Sequence, residues 1–98
     1  MIKKVKIGYA IYTISYMTPG EALGYEAHGI CMDTKRVIKL APDMDEDRER
    51  NTLLHELFHA CWCIYGIKEE DGEERIVFTL ANALTALLKD NPKLRELI

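Results

Sequence analysis

The chain has 98 residues, 48% of them hydrophobic and 30% charged, a balance that excludes the disordered, collagen-like and disulfide-scaffold classes. Its 13 basic and 16 acidic residues give a net charge of −3, which argues against a nucleic-acid partner because such proteins neutralise phosphates with a basic surface. This length predicts one domain over residues 1–98, with one core.

The sequence also favours a protein that stays inside the cell and off the membrane. Lysines interrupt the apolar residues at the N-terminus, so no secretory signal is expected. The longest stretch without charge, 76–88, is shorter than the ~20 residues that span a bilayer. Three cysteines are an odd set, and Cys61 and Cys63 are too close in a helix to pair. We therefore expect a reducing, cytoplasmic location.

The first half of the chain shows the alternation of β-strands. A strand is predicted within residues 3–16, and a turn around Thr18-Pro19-Gly20. Residues 25–41 alternate again around the polar turn 33–35, which predicts a β-hairpin. The alternating positions of the first strand are Val5, Ile7, Tyr9, Ile11 and Thr13. We expect a small antiparallel sheet.

The second half has helical periodicity. Acidic residues from Asp43 onward favour the start of a helix, which continues to Tyr65 and ends at Gly66. A second helix is predicted to open within 71–74 and to stop at Asn91-Pro92. The sequence therefore predicts an α+β fold in which the small antiparallel sheet packs on two long helices.

The first long helix contains the motif His55-Glu-Leu-Phe-His59. At 100° per residue the two histidines lie about 40° apart and one turn along the axis, so both imidazoles reach one ion. Glu56 lies about 100° round from His55, where a carboxylate takes a proton from a water molecule activated by the metal. This HExxH arrangement predicts a metal site.

The neighbouring residues strengthen that prediction. The helix is apolar around most of its circumference, so it is expected to be buried. Two buried histidines without partners would cost several kcal/mol of desolvation, about the penalty for unpaired polar groups. The alternative is a pair of core histidines bonded to backbone or carboxylates; two of the chain's three histidines placed four apart around a glutamate favour the metal.

A zinc ion needs a third protein ligand, with water in the fourth position of a catalytic site. Glu73 and Glu74 open the next helix, which should fold back antiparallel beside the first. The helical phase leaves both open, and most of the acidic run 69–74 is expected to be solvated. Cys63 is a weaker candidate because it lies ~12 Å along the same helix from His55.

The segment Asn51-Thr-Leu-Leu-His-Glu-Leu-Phe-His-Ala60, preceded by a hairpin with Gly29-Ile-Cys-Met-Asp33, resembles the small zincin metallopeptidases of the ImmA/IrrE-like kind, particularly the compact versions of phages and mobile elements. The resemblance implies a minimal gluzincin architecture in which His55 and His59 bind zinc and Glu56 is the base. It also implies a glutamate ligand on the following helix, and the family's Glu-x-x-Ala-x-x-Phe-Ala pattern falls on Glu74, with Glu73 in reserve.

The sequence departs from this family in three ways. Val77 and Leu80 replace the alanine and phenylalanine of the pattern, and we expect neither the N-terminal helix nor the C-terminal lobe with which larger members build a cleft. Phe78 stands where thermolysin-like relatives have a polar partner. Zinc binding is therefore a firmer expectation than peptidase activity.

The expected function is zinc-dependent peptide hydrolysis with Glu56 as general base. A protein or peptide substrate would bind by strand addition to a sheet edge, because an edge offers unpaired backbone groups. His28, Tyr25 and Tyr65 are candidates for the oxyanion-stabilising group by residue type alone. The alternatives are a metal-stabilised protein-interaction module that cleaves nothing, and a zinc hydrolase that acts on other bonds.

Overall fold

The computed structural model describes residues 2–66 and 72–97 and shows an α+β fold. A four-stranded mixed sheet has the order β1-β2-β4-β3. The elements in chain order are β1 (Lys4–Ile7), β2 (Ala10–Tyr16), α1 (Pro19–Tyr25), β3 (Gly29–Met32), β4 (Val37–Leu40), α2 (Glu46–Ile64), α3 (Glu73–Asp90) and α4 (Pro92–Leu97).

The strand predicted within residues 3–16 is in fact an antiparallel hairpin of β1 and β2. Gly8, at φ +58°, and Tyr9 form its turn between the paired residues Ile7 and Ala10. A two-residue turn shifts the buried positions from odd to even numbers, so Tyr12 is buried whereas Ile11 is exposed. The predicted alternation was therefore wrong beyond the turn.

The prediction of a purely antiparallel sheet was also wrong, because β2 and β4 pair in parallel. Residues 17–28 lead from the end of β2 past the end of β4 to the start of β3, because Tyr16 and Gly29 both pair with Leu40, and they include the helix α1 where a turn was predicted. A capping box starts α1: Thr18 Oγ1 accepts a hydrogen bond from Glu21 N–H, and Thr18 N–H donates to Glu21. The predicted hairpin within 25–41 is confirmed as the antiparallel pair β3 and β4.

Both long helices are confirmed. The Asp45 side chain caps α2 by accepting from Arg48 N–H at 2.8 Å, and Gly66 follows the helix end with φ +69°. Helix α3 runs antiparallel beside α2, since Asp47 near the start of α2 bonds Lys89 near the end of α3. Within the described ranges, no helix has the length and apolar character needed to cross a bilayer.

The core lies between the sheet and α2. It is formed by residues from β1, β2, β4 and α2, and its buried members are Ile7, Ala10, Tyr12, Ile14, Ile38, Leu40 and Ala60. Helix α2 also buries two polar residues on the face that meets the sheet, Thr52 and Glu56. Because this face is held against the edge strand β3, the fold fixes the position of the HExxH motif.

Gly29 brings β3 against the motif. A Cβ atom built there would lie 2.7 Å from Thr52 Cγ2 and 3.1 Å from Glu56 Cγ. We expect Gly29→Ala to lower the free energy of unfolding by about 1–3 kcal/mol, because the strand must move off the helix. Gly24→Ala is the control, since nothing lies within 4 Å of its Cβ. Urea denaturation of both variants tests this; equal stabilities would show that the approach of β3 is loose.

Candidate metal centre

Helix α2 presents His55 and His59 one turn apart, as its geometry requires. Their Nε2 atoms lie 3.2 Å apart and their ring centroids 4.9 Å apart. Both side chains are largely buried. The two histidines of the motif therefore point their nitrogens at one point in space.

Glu74, in the first turn of α3, completes this group. One of its carboxylate oxygens lies 2.8 Å from His55 Nε2 and the other 2.8 Å from His59 Nε2. One donor atom from each of the three residues can be chosen so that all lie within 4.8 Å of one another, a group that could hold a metal ion. The Glu74 side chain is 71% exposed, so the group is open to solvent on the side of α3.

The chemistry of these atoms suits a cation. A carboxylate has only lone pairs to offer, and a neutral imidazole has one nitrogen with a lone pair. Both Nε2 atoms and both Glu74 oxygens face each other here, and when each Nε2 has its lone pair these four atoms repel unless a proton or a metal ion lies between them. A metal ion satisfies both imidazoles and the carboxylate at once, which a single proton cannot do.

Glu73 contacts the other side of His59. Its carboxylate accepts a hydrogen bond of 2.8 Å from His59 Nδ1. A carboxylate on Nδ1 is the usual way in which proteins fix the tautomer of a metal-binding histidine, because it leaves the Nε2 lone pair toward the ion. The two consecutive glutamates, which the helical phase left open, therefore have different contacts: Glu74 with both Nε2 atoms and Glu73 with Nδ1.

Glu56 lies deeper than the histidines and is only 8% exposed. Burial raises the pKa of its carboxyl to about 7, His59 opposes this rise, and the nearby Glu74 and Asp33 add to it. Its Oε2 lies 3.1 Å from the position of a Cβ at Gly29, so the carboxylate backs on β3. Glu56 is thus a desolvated acid beside the histidine pair.

A cavity of about 330 Å³ opens between the edge strand β3 and these groups. Its described lining residues are Ile30, Cys31, Asp33, Glu56, His59 and Glu73. The buried Tyr12 donates a hydrogen bond of 2.7 Å to Asp33, and Cys31 donates to the same oxygen at 3.3 Å. Burial also raises the pKa of the Cys31 thiol. The cavity wall is therefore acidic and built on a fixed hydrogen-bond network.

Sequence reasoning missed the part that Asp33 plays in this wall. It was predicted only as a turn residue, since nothing in the local pattern indicates that a tyrosine 21 residues earlier in the chain reaches it. Phe78 packs edge-on to His55 with ring centroids 6.3 Å apart, so the fourth residue after Glu74 gives His55 an apolar contact rather than a polar partner.

The other candidate residues lie apart from the described lining. Cys63, the alternative ligand, is exposed and is not a member of the His55, His59 and Glu74 group. Of the candidates for oxyanion stabilisation, Tyr25, His28 and Tyr65 are exposed and absent from the described cavity lining. Residues 69–71 of the predicted acidic loop lie outside the described ranges.

Comparison with known proteins gave no match to a family model, to a curated protein or to a solved structure.

Proposed function

We propose that the protein is a zinc-dependent metallopeptidase in which His55, His59 and Glu74 hold the ion and Glu56 is the general base. The observation that carries this proposal is the convergence of the two imidazoles and the Glu74 carboxylate beside a buried glutamate, at the wall of a cavity. The resemblance of residues 51–60 to the compact zincins of phages and mobile elements supports the same reading.

Zinc is the metal that this set of donors favours. Two imidazole nitrogens and one carboxylate oxygen are a common catalytic zinc set, which leaves one position for water or substrate. Ligand atoms about 2.0–2.1 Å from a tetrahedral ion lie roughly 3.3–3.4 Å from one another, and the imidazole nitrogens here are 3.2 Å apart. Mg²⁺ and Ca²⁺ prefer oxygen ligands, which disfavours them.

Zinc and the residues around it have separate roles in this reaction. When bound, zinc acts as a Lewis acid that makes water a nucleophile near neutral pH and polarises the substrate carbonyl. Glu56 takes the proton from the attacking water on its carboxylate and returns it to the leaving amine. Glu73 holds the His59 ring in place through Nδ1. Burial keeps bulk water away from Glu56.

The substrate in this proposal is an extended peptide. Strand β3 is at the end of the sheet order, so among the described residues one side of its backbone pairs with no other strand and can accept an added one. The cavity beside Ile30 and Cys31 lies between that strand and Glu56. A peptide added to β3 would therefore pass the histidine pair. We place this reaction in the cytoplasm, where reduced thiols such as those of Cys31 and Cys61 persist.

Activity is best tested with a peptide library and a denatured protein as substrates. The zinc-loaded protein is expected to create new termini, detected by mass spectrometry, and a chelator such as 1,10-phenanthroline should stop this. Zinc binding at one equivalent without cleavage of either substrate would contradict the peptidase proposal. It would instead favour the metal-stabilised interaction module, or a hydrolase of other bonds.

Zinc is also expected to stabilise the fold. A ligand that binds only the native state adds about 2.7 kcal/mol to the free energy of unfolding at 100 times its dissociation constant. Thermal denaturation with and without zinc measures this, with Ca²⁺ as the control ion. Cys63→Ser should show the same shift as the parent chain, and loss of the shift in that variant would make the thiol a ligand.

A further inference from the structure

Helix α3 has a stripe of apolar side chains on its outer surface. Ile76, Leu80 and Leu87 are 41%, 51% and 50% exposed, and Ala83 between them is exposed too. A helix of 18 residues with such a stripe has a second apolar face besides the one that it packs inward. We call this stripe of Ile76, Leu80, Ala83 and Leu87 the outer seam.

The outer seam points away from the rest of the described fold. Helix α2 bonds the opposite side of α3: Asn51 contacts Asn82 and Thr85, and Asp47 pairs with Lys89. At 100° per residue, positions 76, 80, 83 and 87 lie within a narrow sector on the far side from these contacts. The seam is therefore available to another molecule.

The seam is self-complementary. The intervals between its residues are four, three and four, which read the same in both directions and are typical of paired helices. A two-fold axis through the middle of the seam places Ile76 opposite Leu87 of a second copy, and Leu80 opposite Ala83 of that copy. Each layer across the axis then joins two apolar residues, and each of the two central layers packs a leucine against an alanine.

The flank of the seam fits the same pairing. The two-fold axis brings Arg75 of each copy opposite Asp90 of the other copy. Two equivalent ion pairs therefore form across the interface. Thr79 comes opposite Ala86, and both are small and exposed. Parallel helices would instead place Arg75 on Arg75 and Asp90 on Asp90, which is unfavourable.

A groove lies where this pairing needs one. It has a volume of about 390 Å³, and its described lining residues are Arg75, Ile76, Thr79 and Leu80. In the antiparallel arrangement, Leu87 of the second copy faces Ile76 at this groove. We propose that the protein forms a homodimer through antiparallel packing of α3 on α3, with the outer seam as the interface.

Sedimentation velocity over a range from micromolar to millimolar protein tests the dimer. The parent chain is expected to associate reversibly, and Leu80→Glu should weaken the dimer by at least about 30-fold, the effect of losing a central interface residue. Leu23→Glu is the matched control, because Leu23 is exposed on α1, away from the seam. A parent chain that stays monomeric up to millimolar, or a Leu80→Glu dimer as tight as the parent dimer, would overturn the proposal.

Charge exchange tests the orientation. Arg75→Asp alone, or Asp90→Arg alone, should weaken the dimer roughly three- to tenfold, the expected size for exposed ion pairs. The double variant should regain the parent dissociation constant, because each pair reforms with its charges exchanged. Both exchanges suit the helix dipole, and circular dichroism checks that α3 is intact. Single variants without effect, or a double variant that fails to recover, would overturn the antiparallel pairing.

Discussion

Replacing Glu56 by glutamine is expected to lower peptide hydrolysis by about 100- to 10,000-fold, the usual contribution of a general base. The amide has the size of the carboxylate but cannot accept the proton of the attacking water. Glu56 is largely buried beside the histidine pair, so a base from the solvent does not easily replace its carboxylate at that position. Turnover of a peptide cleaved by the parent chain measures the effect.

The fold and the metal should survive this change. Burial disfavours the charged form of Glu56, so a neutral amide removes a desolvation cost and the melting temperature should not fall. Zinc content should stay at one equivalent because Glu56 is not in the ligand group. If Glu56→Gln kept its zinc and its turnover, Glu56 would not be the base.

The two consecutive glutamates are expected to differ sharply in zinc affinity when each is changed to glutamine. Glu73→Gln should weaken zinc binding by about 10- to 100-fold, because it loses the charge that orients His59. Glu74→Gln should weaken it further than that, because it replaces a charged ligand that reaches both imidazoles. Competition with a zinc chelator of known affinity measures both constants.

This pair of variants is well matched. Both residues are in the first turn of α3, so each loses the same favourable interaction with the helix dipole. Glu46→Gln, in the first turn of α2 and exposed, serves as a control that should bind zinc like the parent chain. Equal losses of zinc affinity in Glu73→Gln and Glu74→Gln would contradict the separate roles of the two residues. A larger loss in Glu73→Gln would make Glu73 the ligand.

Local patterns predicted the two long helices and the hairpin of β3 and β4 well because their signals are short-range. Asp45 caps α2, Gly66 follows its end and Asn91-Pro92 ends α3, and each acts within a turn of its own position. The four-residue interval between His55 and His59 likewise fixed their common side of α2 before any tertiary contact was known.

The errors came from signals that extend beyond a few residues. The alternating pattern predicted that one strand continues through Gly8. In the structure the chain turns at Gly8, and beyond it the even-numbered side chains face the core instead of the odd-numbered ones. The parallel pairing of β2 with β4 depends on residues 17–28 passing the end of β4 to reach β3, and the pattern within one strand does not indicate this path.

In the candidate site, too, local spacing predicted some features and tertiary packing decided the others. Helical phase placed both Glu73 and Glu74 near the histidines but could not tell which nitrogen each would meet, since this depends on the angle between α2 and α3. The contact of Tyr12 with Asp33 joins residues far apart in the chain, so it could not be read from local spacing.

X-ray absorption spectroscopy of the zinc-loaded protein tests the central claim most directly. One equivalent of zinc is expected, with two imidazoles and a carboxylate among nitrogen and oxygen ligands at about 2.0–2.2 Å and no sulfur. A sulfur ligand at about 2.3 Å, or a folded protein that takes up no zinc, would contradict the assignment of His55, His59 and Glu74 as the metal centre.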